Sequence, residues 1–524
     1  MKLMPNQIFN EFSEGNQFKA SIGSRGIFEQ SKINERFFIG DQWYGANCGS
    51  DRPLVRHNVI KRIGDYKMSQ ILNAKLDMKF SAEGIPTENS TAPAEFSGEL
   101  TDSEVGFVME SLSNYFKVSG ERVNLESLSS LIVRNAYISG TSLLYTYWDS
   151  EIPSGTYADD RKTVKIKGDI CCELLKIEDI VFGDPYCTVL QNQPYIIISA
   201  SKPLEEVLRE SRLYGASLSA LALIEESADN GKVTVLTKLY KAFDTDGTYK
   251  IMCTKVTRNA VVREEFSTGL RLYPIAEFKW ENKNNCAYGE SEITYLIPNQ
   301  IAINRLITAN VWGALSTGLP IMLVNGDTVS EKITNDPGQI IKIYGSNEDV
   351  AGAVKYVTPP NCIKDFDDTV NSLINNTLTQ SGANEVALGD SRADNATALM
   401  TMRDAALMPL QIIKNRYYGF LEQLARIWAD FWVTHYGKRP IKITKNGKIN
   451  YIPFDGERYR GLVINATVDV SHDVTYTDKE QLDILLTLFD KGVITKAELL
   501  SRIPKGMVPD LNTISKEETE NDGI

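Results

Sequence analysis

Three features of this sequence predict an α+β fold. Residues 232–280 alternate apolar and polar positions between turns, as a meander of strands does; from residue 290 the pattern turns to long helices; and residues 397–435 keep large apolar side chains three or four apart without a break. The 524 residues are enough for about three packed units. With 42% hydrophobic and 24% charged residues, 36 Gly and 19 Pro, the composition is that of a globular protein and excludes collagen, a disulfide scaffold or a disordered chain. A net charge of -12 argues against gripping nucleic acid by broad phosphate neutralisation, but leaves DNA open as something the protein surrounds.

The elements follow in chain order. The opening residues mix their apolar side chains with Asn, Gln and Glu, so no signal core is expected, and no later stretch is apolar enough to span a membrane. Residues 32–80 read as mixed helix, with Phe37-Phe38-Ile39-Gly40-Asp41-Gln42-Trp43 and a helix carrying Val59, Ile63, Tyr66 and Ile71. Arg56, Lys61, Arg62 and Lys67 form either a basic patch or a solvated helix face. A polar loop, 86–96, precedes helices over 101–115 and 125–140. Strands fill 141–200, a short helix covers 203–214, and VTVLTKLYKAF, TYKIMCTKVT, AVVREEF and IAEFKW make the meander.

Helix 291–314 places Ile293, Leu296, Ile297, Ile303, Ile307 and Val311 on one arc, and Pro298 should bend or restart it. Strands PIMLVNG, QIIKIYG and VKYV follow, then helix 362–381 and a polar stretch, 382–394. The longest helix carries a stripe from Leu399 to His435, is capped by Asp394 or Asn395, stops at Gly437, and should kink at Pro409. Strands IKIT, INYI and LVINATVDV precede two helices opened by Thr477-x-x-Glu480 and Thr495-x-x-Glu498, and the acidic end is expected to be disordered.

Catalytic motifs are missing. There is no phosphate loop, no GxGxxG after a strand, no GxSxG and no HExxH, and His57, His435 and His472 are spaced for no metal site. The seven cysteines, odd in number and without a CxxC, suit reduced thiols; vicinal Cys171 and Cys172 are either a redox pair or ordinary strand residues. No enzymatic activity, cofactor or metal is expected.

The order helix, small strand insert, helix, polar loop, long proline-containing helix resembles the portal proteins of tailed bacteriophages. Tyr288-Gly289-Glu290-Ser291-Glu292-Ile293, followed by Leu296-Ile297-Pro298, Gln300, Ile303-Asn304 and Leu306, is similar to the start of that family's first stem helix. Asn395-Ala396-Thr397-Ala398-Leu399 is similar to the start of its kinked wing helix, though the family often has Ser-Gly where this chain has Ala-Thr. Phe38–Trp43, Thr477-Asp478 and Lys491-Gly492-Val493-Ile494-Thr495 are similar to portal termini. The resemblance touches most of the chain, without a single diagnostic motif.

It implies an α+β portal-type fold: an α/β wing (1–289), paired stem helices (290–315 and 361–385), a small β-containing clip (316–360), a tunnel loop (386–396), a long proline-kinked wing helix with wing strands (397–470), and a helical crown with an acidic tail (471–524). The tunnel loop would set Gly389, Asp390, Ser391, Arg392, Ala393, Asp394 and Asn395 at the DNA channel. The clip would assemble through Ile321, Leu323, Ile341, Ile343 and Tyr344. Implied too is a homo-oligomeric ring, usually of twelve subunits, at one capsid vertex of the virion, assembled in the host bacterial cytoplasm. Double-stranded DNA would be packaged and ejected through it. Its partners would be the terminase large subunit, the major capsid and scaffolding proteins and a head completion adaptor, with no membrane. The alternatives are another ring-forming virion protein or an enzyme with an unrecognised site.

Charge bears on this independently. Between Glu290 and Asp394 thirteen acids face six bases, a net of -7. An acidic tube repels DNA phosphates and so lets them slide, although the same acids also fit plain solvated helix faces.

Overall fold

Two helices that no apolar stripe announces open the chain, α1 (Pro5–Ser21) and α2 (Gly26–Ile39). Charge holds α1 in place. The buried Lys238 ammonium pairs with Glu11 at 2.5 Å, and the buried Lys19 ammonium donates to the carbonyls of Ile177 (2.8 Å) and Ile180 (2.7 Å). Burial lowers the Lys19 pKa to about 7, while Glu178 and Asp179 pull it back up. The computed structural model describes residues 4–45, 54–73, 77–83, 102–157, 164–166, 168–243, 245, 247–318, 321–324, 354–357, 363–383, 396–445, 448–460, 462–469, 478–495, 499 and 503.

Helices α3 (Val59–Leu72), α4 (Asp102–Arg122) and α5 (Leu125–Ser139) and the short strand β1 (Asp77–Glu83) lead into the sheets. These use β2 (Thr141–Asp149), β3 (Pro153–Tyr157), β4 (Val164–Ile166), β5 (Asp169–Leu175), β6 (Ile180–Phe182), β7 (Tyr195–Pro203), β8 (Lys232–Phe243), β9 (Tyr249–Val256), β10 (Val261–Ser267) and β11 (Ile275–Lys279). One antiparallel sheet has the order β10-β9-β8-β7-β6, a second the order β11-β2-β5, and β3 pairs with β4. Leu143, Leu175, Phe182, Ile196, Ile198, Leu239, Ile275 and Tyr288 share one core. On other residues of the larger sheet, Ile8 of α1 meets Val181, Ile197, Leu236 and Val256. Helices α6 (Leu204–Leu213) and α7 (Leu218–Glu226) cover Val233, Val235 and Val262.

The meander is shorter than its pattern predicts. Ile275–Lys279 pairs with β2, Ile275 opposite Tyr145, instead of extending the sheet of β8 to β10. The segment before it is pulled away, because the backbone N–H groups of Arg271 and Leu272 donate to the Asp430 carboxylate and the Tyr273 hydroxyl donates to the carbonyl of Gln193.

The long helix runs from Ala396 to His435, unbroken through Pro409. A single apolar stripe was expected; from Tyr417 onward the helix is instead buried nearly all round, with Leu421, Ala425, Trp428 and Trp432 inside as well as the stripe. The cause is that it is packed from several sides. Phe278 of β11 meets Tyr417 at 5.7 Å, Phe116 of α4 meets Trp428 at 4.9 Å, and Trp148 of β2 stacks on His435 at 5.0 Å. Strands Lys438–Lys445 and Lys448–Asp455 then form a hairpin. The chain divides into two units, one of residues 1–72 and 79–467 and the other of residues 73–78 and 468–524; in the second the helix Asp478–Asp490 is described, whereas Thr477, Glu498 and the acidic end lie outside the described residues.

Candidate functional site

The helix Ile293–Gly318, here α8, is placed by the six residues Tyr288 to Ile293. Tyr288 is buried against Phe182, ring to ring at 5.2 Å. Gly289 crosses the backbone of Gly140 so closely that a Cβ would lie 2.5 Å from the Gly140 carbonyl oxygen, and its N–H donates to the Thr141 hydroxyl at 2.7 Å. The Glu290 N–H donates to the carbonyl of Glu281. Ser291 caps α8: its hydroxyl donates to the carbonyl of Tyr137 at 2.6 Å and accepts from the N–H of Ile293. Glu292 accepts from the Lys67 ammonium at 2.6 Å and from the Trp280 indole at 3.1 Å, with the Lys67 and Glu292 side chains only 7% and 15% exposed. Ile293 is fully buried. Every residue of that motif is therefore fixed by a contact. Lys67 belongs to this buried pair, which removes it from the expected basic set; Lys61 and Arg62 on α3 and Arg56 just before it are exposed.

Beyond its start α8 is tied down by polar side chains one turn apart. The Gln300 carbonyl oxygen accepts from the N–H groups of Val59 and Ile60, its amide donates to the carbonyl of His57, Asn304 accepts from the N–H of His57 and donates to Gln42, and Thr308 accepts from the N–H of Val55. Gln300 thus satisfies donors that the first turn of α3 would otherwise leave open. The helix was expected to bend or restart at Pro298; it does not restart.

The other side of α8 meets the helix Ile363–Gln380. Asn299 donates to Thr377 at 3.2 Å and Asn310 donates to Asp367 at 2.5 Å, so the two run antiparallel. In the chain between these helices, the strands Ile321–Val324 (β12) and Val354–Val357 (β13) pair antiparallel, Ile321 opposite Val357. Among the described residues an antiparallel helix pair is thus followed, inward along the chain from both of its arms, by an antiparallel strand pair. Helix Ile363–Gln380 buries Val370, Thr377, Leu378 and the following Ser381, at helical spacing, and exposes Asp368, Asn371, Ser372, Asn375, Asn376 and Thr379. From Asp365 to Gln380 there is no cation.

Of the residues expected at the clip, Ile321 and Leu323 lie on β12, while Ile341, Ile343 and Tyr344 lie outside the described residues, as do Gly389, Asp390, Ser391, Arg392, Ala393, Asp394 and Asn395 of the expected tunnel loop. Pro409 sits next to the C-terminal end of helix Ile363–Gln380, where a Cβ on Gly382 would come within 3.3 Å of its ring. Since Pro409 offers no N–H, the Ala405 carbonyl lacks its partner inside the helix. Pro409→Ala restores that hydrogen bond and is expected to stabilise the long helix, read as a raised urea midpoint of the full-length protein; an unchanged or lowered midpoint would show that the proline is accommodated without cost.

A second buried polar cluster closes α4 onto β5. Arg122 pairs with Asp169, whose carboxylate also accepts from the Tyr436 hydroxyl at 2.6 Å, and the hydroxyls of Tyr436 and Tyr115 lie 2.9 Å apart. Burial, with the charges of Tyr115 and Asp169, drives the Tyr436 hydroxyl far above its usual pKa, so it stays a donor. Cys171 and Cys172 are neighbours on β5 and free thiols, and burial pushes Cys172 up to about 11, away from the thiolate that redox chemistry needs. Among the described residues no group of His, Cys, Asp and Glu is arranged to hold a metal ion, and no helix is long and apolar enough to cross a membrane.

The chain matches no protein-family model and no curated protein. Among solved structures it is similar to a chain of the "Virion of native gene transfer agent (GTA) particle", with 10% identity and a TM-score of 0.35 over 93% of this chain and 97% of that one. A likeness that shallow carries no argument about function.

Proposed function

We propose that this chain is a portal protein of a tailed bacteriophage, a ring at one capsid vertex through which double-stranded DNA is packaged and ejected, docking the terminase motor and later a head completion adaptor. The observation that carries the reading is a helical hairpin, two antiparallel helices with an antiparallel strand pair in the chain between them. Asn299 with Thr377, Asn310 with Asp367 and Ile321 with Val357 are its rungs. α8 and helix Ile363–Gln380 are then the paired stem, and β12 with β13 the base of the clip. The exposed side of helix Ile363–Gln380 is acidic at one end, neutral and polar along the rest. Such a surface offers passing phosphates no cation to pair with, so DNA would slide along it instead of being held.

A two-stranded sheet is marginal in water, which favours a clip completed by neighbouring subunits. The test is the native mass of the purified full-length protein. A ring of several hundred kilodaltons or more with a central opening is expected, and a chain that stays monomeric at every concentration would contradict the reading. Deleting residues 325–339 is expected to weaken ring assembly or motor docking while the circular dichroism of the remainder is unchanged; a deletion variant that assembles and docks normally would remove the clip assignment.

A further inference from the structure

α8 contains a single charged residue, Arg305. Successive residues of a helix are turned by about 100°, so the contacts already described divide its circumference. Gln300, Asn304 and Thr308 face the segment before α3, and Asn299 and Asn310 face helix Ile363–Gln380. Between them lies an arc of solvent-exposed residues, Tyr295 (57% exposed), Arg305, Ala309 and Trp312 (40% exposed). Arg305 has no ion-pair partner among the described residues, and the small Ala309 beside it lets another helix come close. Helix Ile363–Gln380 carries the opposite character, with exposed Asp368 followed by Asn371, Ser372 and Asn375.

Heights along the hairpin can be read from its rungs. With Asn299 level with Thr377 and Asn310 level with Asp367, Arg305 stands level with about residue 372, some four residues or roughly 6 Å from Asp368 along the axis. An arginine side chain spans that distance. Within one chain the two cannot meet, because they point away from different sides of the pair. Between two chains placed side by side they can.

We propose that a second copy of this chain lays the Asp368 side of its helix Ile363–Gln380 against the exposed arc of α8, with the Arg305 guanidinium donating to the Asp368 carboxylate across the contact. The proposal rests on the portal reading and names the subunit contact it requires. One surface meets a different surface of the next copy, so the contact is heterologous, and it closes into a ring where the rotation between subunits permits. The occupant is chosen by charge complementarity, since the lone cation of one helix faces the acid on the exposed side of the other. The exposed side of helix Ile363–Gln380 spans about half its circumference, wide enough to meet a neighbour on one flank and a channel on the other.

Charge reversal tests the pair directly. Full-length Arg305→Glu and Asp368→Arg are each expected to lower the fraction of protein in rings at least about 10-fold at fixed concentration, read by analytical ultracentrifugation, with the circular dichroism of the wild type because both side chains are exposed. Arg305→Gln should lie between them and the wild type. The double variant R305E/D368R is expected to recover assembly to within about threefold, the signature of a direct pair in a mutant cycle. Either reversal assembling like the wild type would overturn the proposal, as would a double variant that stays as poor as the singles. A wild-type protein that never forms rings would instead bring down the portal reading itself.

Discussion

Glu292→Ala is expected to destabilise the fold by about 3–5 kcal/mol, because removing one member of a buried ion pair leaves the other charge without its counterion. The Lys67 side chain is only 7% exposed, and the Trp280 indole N–H loses its acceptor in the same step. The measurement is the urea midpoint of the purified protein at unchanged slope. A companion double variant, Lys67→Met with Glu292→Leu, separates the stranded charge from the packing, since apolar residues of similar volume in place of both partners are often neutral. Loss confined to the single variant is the expected outcome; equal loss in both would place the effect in packing. The consequence reaches beyond stability, because Glu292 immediately precedes α8, the first arm of the hairpin.

The second large effect is expected at Asp430. Its carboxylate, 4% exposed on the long helix, accepts the backbone N–H groups of Arg271 at 2.7 Å and Leu272 at 3.1 Å, holding the loop that turns β11 into the second sheet. Asp430→Ala leaves both donors unsatisfied, at about 1–3 kcal/mol each. The ion pair with the Arg271 side chain adds little, since that side chain is 41% exposed. Burial pushes the Asp430 carboxyl above its ordinary range, against the pull of the two N–H donors and Arg271. Stability linked to this group is thus fully present below the ordinary carboxylate range and is lost as the pH rises through the raised value; Asp430→Asn should lack that dependence. Chemical denaturation across the acidic range reads both, and an Asp430→Ala protein as stable as the wild type would show that the loop is held by something else.

What was legible in the sequence depended on whether the deciding interaction was local. The start of α8 and the limits of helix Ile363–Gln380 and the long helix were readable because an apolar arc at helical spacing and a glycine stop act within a few residues, whereas the cap that Ser291 supplies was not foreseen. α1 was not, since Lys19 and Lys238 hold it through partners more than 150 residues away in the chain. Lys67 was misplaced on a basic face for the same reason, its partner Glu292 lying 225 residues downstream. Ile275–Lys279 has the alternation of any strand, and the sheet it joins goes with contacts far away in the chain, at Asp430 and Gln193. On the long helix the apolar stripe was visible, but Trp428 and Trp432 fall outside it, and that they too are buried follows from β2, β11 and α4 closing around the helix.

The most direct test of the account is an electron cryomicroscopy structure of the assembled full-length protein. It is expected to reveal a closed ring in which helix Ile363–Gln380 turns Ser372 and Asn376 toward a central channel wide enough for a DNA duplex, with β12 and β13 at one end of that channel joined to strands of neighbouring subunits. A particle without an axial channel, or a ring whose hairpin lies on the outer rim away from the axis, would contradict it.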